Sequence, residues 1–142
     1  MLHRVPKQVL DGLARVPLFS ACTKAELRSI AQLGTEVSVG DGAVITEQGK
    51  PGFEFCLVMG GKARCLVDGT QVAVFGAGVF FGEMALIDRG PRHATVVADG
   101  PLQLLVLDAR EFSSLLDSSP SIAKKLLAAF AARERQNASI RH

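Results

Sequence analysis

Histidine and cysteine are both scarce, at three residues of each in 142. The cysteines, Cys22, Cys56 and Cys65, are odd in number and include no C-x-x-C pair, which argues against both a disulfide framework and a zinc site. Of the histidines only His93 falls in the strand-rich middle of the chain, so a metal-holding barrel of the cupin kind lacks its ligands. No Ser or Cys nucleophile stands with a histidine in a recognisable setting, and neither an enzyme nor a metal or other cofactor is expected. An excess of one charge is also missing. The 16 basic and 14 acidic residues leave a net +2, far from the basic surplus of a nucleic-acid binder, although Lys124, Lys125, Arg133, Arg135 and Arg141 gather positive charge near the end.

Long apolar runs are absent too. LLAAFAA, near the end, falls well short of the roughly 20 residues that span a bilayer, and the N-terminus MLHRVPKQ lacks the apolar segment of a signal peptide. These absences imply a cytoplasmic protein without direct nucleic-acid contact or membrane insertion of its own, brought to a membrane only by a missing or partner region. No internal repeat occurs and no helix-turn-helix follows the last helix. A chain of this length folds as one domain, 1–142, burying roughly two-thirds of its unfolded surface in a single core.

What is present divides the chain in three. Over residues 5–33 apolar positions recur at helical spacing: Val9, Leu10, Leu13, Val16 and Leu18 suit one helix or turn, and Thr23 with Glu26 forms a capping-box signature opening a second helix through Leu33. From 34 to 108 the texture changes to short β-branched or alternating runs (TEVSV, AVITE, FEFCLVM, KARCLV, QVAVF, HATVVA, LQLLVL) punctuated by glycine. Strands this closely spaced make an antiparallel sandwich or barrel of about eight strands. If Gly60-Gly61 is a two-residue hairpin turn, Cys56 faces Cys65, and the pair reads as two small buried side chains rather than a bridge. Over 109–137 helix returns twice, first behind the cap-like pair Asp108 and Glu111, then from Pro120 at a first helical position. On the last helix Ile122, Leu126, Ala129, Phe130 and Arg133 share one side, and Lys125, Ala128 and Ala132 lie on another.

Residues 81–96, FGEMALIDRGPRHATV, break the strand texture. A helix of one or two turns starting near Gly82-Glu83 leaves its first N–H groups unpaired, an arrangement that attracts phosphate. Gly82 lets a ligand approach the backbone, and Arg92, just past the rigid Gly90-Pro91 turn, can return to the same place with a guanidinium fork suited to phosphate oxygens. Glu83 would repel a phosphate but suits hydroxyls such as those of a ribose. Acid for sugar and arginine for phosphate together describe a nucleotide.

FGEMAL followed by PRHATV resembles the phosphate-binding cassette (here 80–96) of cyclic-nucleotide-binding domains. That family includes the bacterial catabolite activator protein, the regulatory subunits of cAMP-dependent kinase and cyclic-nucleotide-gated channels. VGDGAVITEQGKPGFEFCLVMGGKARCLV is similar to the family's first hairpins, and the flanking helices match its helical bundle, so the likeness covers roughly residues 9 to 135. With SSP before the last helix, the cassette is most like those of bacterial potassium-channel binding domains. The resemblance implies a mainly β fold with flanking helices: an eight-stranded antiparallel β-roll (a double-stranded jelly roll), N-terminal helices, a short cassette helix and two C-terminal helices.

It also implies roles. Glu83 would accept the ribose 2′-hydroxyl, Arg92 would pair with the cyclic phosphate, and the amides of Gly82, Ala85 and Ala94 would complete the cradle. Met84 belongs to the ligand-binding segment, although its side chain, like those of Phe80 and Phe81, reads first as barrel packing. His93 stands where cGMP-favouring members carry Thr or Ser, so cAMP is the expected ligand and cGMP the second choice. His93 reads equally as a partly exposed strand residue that contacts nothing. The last helix would act as a lid, with Arg133 and Phe130 facing the purine; packing for Phe130 and a solvated charge for Arg133 are the other readings. A sensor coupled to a channel, transporter or other effector fits, as homodimer or attached domain. The rival is a degenerate nucleotide-binding fold serving as a protein-interaction module, which the presence of both Glu83 and Arg92 opposes.

Overall fold

The computed structural model describes residues 7–16, 19–20, 22–52, 54–82 and 90–140. Three of the described helix starts follow local rules. α1, Lys7–Ala14, turns Leu13 into the core. α2, Lys24–Leu33, opens on the expected capping box: the Thr23 N–H donates to Glu26 Oε1 at 2.8 Å, and the Glu26 N–H donates back to Thr23 Oγ1 at 3.2 Å. Two of the helix's otherwise orphaned donors are thereby satisfied. The hydrogen bond from the Thr23 backbone holds the Glu26 carboxyl below its usual pKa. α3, Ala109–Ser118, repeats the device with Asp108 and Glu111. α4, Pro120–Ile140, begins with Pro120 at its first position, behind Ser119, whose hydroxyl accepts the Ile122 N–H at 3.3 Å; proline costs nothing there because that N–H has no helical partner.

Between α2 and α3 lie six strands among the described residues, all paired antiparallel: β1 Thr35–Val39, β2 Val44–Thr46, β3 Glu54–Val67, β4 Thr70–Phe75, β5 Phe80–Phe81 and β6 Thr95–Asp108. β3 and β6, 14 residues each, pair from Glu54↔Asp108 to Leu66↔Thr95. Their register shifts on either side of Gly60-Gly61, which pair with Gln103 and Leu102, and Gly100-Pro101 bulge out of the pairing with β3. One half of the ladder carries β1 and β5 on its flanks, the other half β2 and β4. Side chains of both halves, among them Cys56, Val58, Ala63, Val96, Ala98, Leu102 and Leu104, pack into one cluster. The two layers therefore face each other as a roll.

The expectation of eight strands is corrected by this pairing, as is the Gly60-Gly61 hairpin. From Glu54 on, FEFCLVM and KARCLV are one strand, and HATVVA and LQLLVL merge into another that starts at Thr95. Gly61 has φ +84° and Gly100 φ +83°, so these glycines bend two paired strands together instead of reversing one. A side chain at Gly61 would run into the Pro101 carbonyl. Cys56 accordingly lies opposite Phe81 and Val106, and Cys65 opposite Ala73 and Val96. The thiols do not face one another, and all three are free. The cassette helix expected within 80–96 falls on residues 83–89, outside those described.

Strand alternation buries both faces of the first layer. Cys56 and Val58 point into the roll, whereas Phe55, Leu57, Leu105 and Leu107 join Leu13, Ile30, Phe112, Leu115, Ile122, Leu126 and Phe130 beneath the helices. The last helix is also fixed to α2 by an ion pair, Lys125 Nζ to Glu26 Oε1, at 3.2 Å.

Two measurements check this core. Leu105 is fully buried under α2 and α3, so Leu105→Ala is expected to lower the unfolding free energy by about 2–5 kcal/mol in urea titration, from lost transfer energy plus the cavity. Burial pushes the Cys56 thiol up to about 12 and raises Cys65 and Cys22 as well. Since the thiolate is the reactive form, native protein at pH 8 should release Cys22 first to a thiol reagent and Cys56 only on unfolding. Denatured, non-reduced protein should give three thiols; a single thiol would mean a native bridge.

Candidate functional site

The loop before β6 is held by the loop before β3. Pro51 and Pro91 form an isolated antiparallel bridge. The Arg92 N–H donates to the Lys50 carbonyl at 2.9 Å, and the Gly49 N–H donates to the Arg92 carbonyl at 2.9 Å. Gly49 reaches this position with φ +85°, a turn conformation that costs glycine little. Proline at 91 supplies a fixed φ, and having no N–H it asks for no donor partner at the bridge. Arg92 is therefore fixed at its backbone before its side chain is considered.

The side chain runs inward and is only 9% exposed. Nη1 donates to the Gly82 carbonyl at 3.1 Å and Nη2 to the Glu54 carbonyl at 2.7 Å. Among the described residues both acceptors are main-chain carbonyls. A buried cation needs such partners, because desolvation without them costs several kcal/mol. Among the described residues these carbonyl dipoles leave its net charge uncompensated and take up two of the five guanidinium N–H donors. Burial outweighs the pull of the Arg92 charge on the neighbouring Cys56 thiol, which stays protonated. Gly82, with φ +88°, has no room for a side chain: a Cβ there would overlap both Arg92 Nη1 and the Glu54 carbonyl oxygen.

The candidate residues divide sharply. Gly82 and Arg92, ten positions apart, meet directly. Ala94, two residues on, is half-buried, and its carbonyl accepts from Thr46 Oγ1 at 3.3 Å. His93 between them is exposed. Glu83, Met84 and Ala85 lie outside the described residues. Arg133 reaches from α4 to β5: its guanidinium lies 4.2 Å from the centre of the Phe80 ring, and Nη1 donates to the Phe80 carbonyl. Phe130 is buried with its ring 5.3 Å from Phe80 and 6.0 Å from Phe55 and Phe112. It packs helix to sheet, the alternative to a place over the base. Phe80 and Phe81 belong to the core, as expected of them, Phe81 stacking on Phe75 at 5.6 Å.

The acceptors Gly82 O and Glu54 O, and the clamp from Gly49 to Pro51, are contributions that sequence reading missed. The only local hint was the density of turn residues in GKPG, which reads as a loop. Which loop it pairs with is a long-range fact.

A family model described as the cyclic nucleotide-binding domain matches residues 36–119. The chain is 40% identical over 114 residues to a cyclic nucleotide-gated potassium channel of Rhizobium etli, covering 80% of this chain and 32% of that protein. To a cyclic nucleotide-gated potassium channel of Mesorhizobium japonicum it is 40% identical over 112 residues, 79% of this chain and 31% of the other. It thus spans about a third of the length of these curated relatives. Among solved structures, the catabolite activator protein of Thermus thermophilus superposes with TM-score 0.78 at 32% identity, over 88% of this chain and 61% of that one. The N-terminal domain of a transcriptional regulator from Streptomyces coelicolor A3(2) gives 0.77 at 32%, over 89% and 94%. The regulatory domain of Toxoplasma gondii PKA, solved with cAMP, gives 0.74 at 29%, over 89% and 49%.

Arg133 ties the last helix to the strand that leads into Gly82. Arg133→Ala should remove about 2–4 kcal/mol of local stability, the sum of a cation–π contact and a charge-assisted hydrogen bond. Hydrogen exchange is expected to quicken in α4 beyond Phe130 while protection in β3 and β6 stays as in the wild type; unchanged exchange in α4 would contradict the tie.

Proposed function

The chain belongs to the cyclic nucleotide-binding domain family, and from that premise we propose that residues 1–142 act as one sensor domain that binds cAMP in preference to cGMP. One observation carries the reading: a buried guanidinium, Arg92, held against Gly82 by neutral carbonyls at the break in the sheet. A cyclic phosphate brings the counter-charge that this cation lacks among the described residues, in a desolvated place where charge-assisted hydrogen bonds are strong. The amides of Gly82, Ala85 and Ala94 complete the cradle, Met84 lies within the same segment, and Glu83 accepts the ribose 2′-hydroxyl. His93, exposed beside Arg92, offers no hydroxyl to the guanine 2-amino group, which favours cAMP.

The ligand is bound and released unchanged, so no catalytic group and no cofactor is required. Occupancy is passed on through the last helix. Phe80 lies two residues before Gly82 and accepts from Arg133 on α4, so a shift of the segment that closes on the phosphate displaces the helix contact. A ligand moves such an equilibrium only by its differential affinity for the two arrangements. Arg133 then serves as the link between seat and lid, and on closure it comes within reach of the purine. The relatives named as gated potassium channels favour a channel as the effector, with this chain acting in the cytoplasm. No described helix is long and apolar enough to cross a membrane.

Isothermal titration of wild type and Arg92→Ala with both nucleotides tests the reading. Each lost charge-assisted bond weakens binding by roughly 10- to 100-fold, so Arg92→Ala should reduce cAMP affinity at least tenfold. Equal affinity in the two proteins would refute the site, cGMP binding tenfold tighter than cAMP would refute the preference, and no binding of either at millimolar concentration would point to an interaction module.

A further inference from the structure

Most glycines in the strand-rich part have positive φ, but Gly52 does not. Gly49, three residues earlier, shows the contrast: it needs φ +85° and has open space where a side chain would stand. At Gly52 the backbone suits any residue and the space is taken. A Cβ there would lie 2.5 Å from Arg92 Cζ, 2.7 Å from Nη2 and closer still to Nε. Ordinary carbon contacts begin near 3.5 Å, so a side chain at 52 and the present Arg92 rotamer exclude each other. The obstructed atoms are those of the guanidinium, not of the backbone, so what must move is Arg92.

We propose that Gly52 is the positioning residue of the phosphate seat: the bare backbone at 52 forms the floor on which the Arg92 guanidinium lies, aimed by the Gly82 and Glu54 carbonyls. Arg92 is then confined on three sides, by the Lys50 and Gly49 backbone at its root, by Gly52 beneath and by Gly82 at its tip. An arginine side chain gives up much rotamer freedom when fixed. Fixing it during folding leaves that cost out of nucleotide binding. The inference rests on the proposed function for its ligand, a cyclic phosphate, but the placement of Arg92 can be read without any ligand.

The test compares wild type, Gly52→Ala, Arg92→Ala and the double variant, with Gly76→Ala as a control, since Gly76 has ordinary φ and nothing near its Cβ position. In ligand-free protein the Arg92 Nε–H resonance, assigned by its loss in Arg92→Lys, should exchange slowly with water in wild type and Gly76→Ala, and should shift and exchange fast in Gly52→Ala. In cAMP titration Gly52→Ala should bind roughly 10- to 100-fold more weakly, and the double variant no more weakly than Arg92→Ala alone. Any loss of thermal stability in Gly52→Ala should be relieved by adding Arg92→Ala, so even a poorly folding variant reports on the contact. An unchanged Nε–H resonance in Gly52→Ala would overturn the proposal, as would losses that multiply in the double variant or instability that Arg92→Ala does not relieve. If wild type binds no cAMP, the functional reading falls, and the resonance and stability comparisons still decide the role of Gly52.

Discussion

Everything in this protein hangs on the antiparallel ladder between β3 and β6. Its two 14-residue strands are long enough to serve two layers, provided they bend at the same level. Gly61 and Gly100, both at positive φ, supply the bend where the register shifts. A continuous flat ladder would leave one face of every strand in water. The bent one closes Cys56, Val58 and Leu104 against Ala63, Val96 and Ala98, and turns Phe55, Leu57, Leu105 and Leu107 to the helices. Pro101 fits because the kink is where strand pairing is already interrupted.

The far end of that ladder is where structure passes into function. Glu54 and Asp108 are its terminal pair. The carbonyl of Glu54 receives Arg92, and the side chain of Asp108 caps α3. One rung thus joins the proposed anion seat to the C-terminal helices. Among the described residues the proposed seat holds its buried cation on carbonyl dipoles. A carboxylate at either position would neutralise the guanidinium and compete with an incoming phosphate, whereas carbonyls orient it and leave its charge to act. The arrangement suits a site that must bind an anion and release it.

Legibility tracked the distance over which each signal acts. The capping boxes Thr23/Glu26 and Asp108/Glu111, and Pro120 at a helix start, were readable because their partners stand within four residues. Gly82 and Arg92 were paired across ten positions because a glycine before a helix start and an arginine after a proline make chemical sense together, and the family resemblance rests on the same residues. Gly60-Gly61 misled, since two adjacent glycines are compatible with a hairpin turn and equally with a bend in a paired strand. Only the partner strand around Gly100–Gln103, some 40 residues away, separates the two. The same holds for Arg133, whose contact with Phe80 spans 53 positions.

By itself, then, the sequence determined the order of helix and strand textures, where the helices begin, and the glycine–acid–arginine chemistry of residues 81–96. Those are set by interactions between near neighbours and by residue type. Tertiary structure alone decided that two long strands bend instead of turning back, that the thiols of Cys56 and Cys65 stay apart, and that Gly52 lies under Arg92. Each of those depends on which distant backbone occupies a given few ångströms, and no local pattern of residues encodes that.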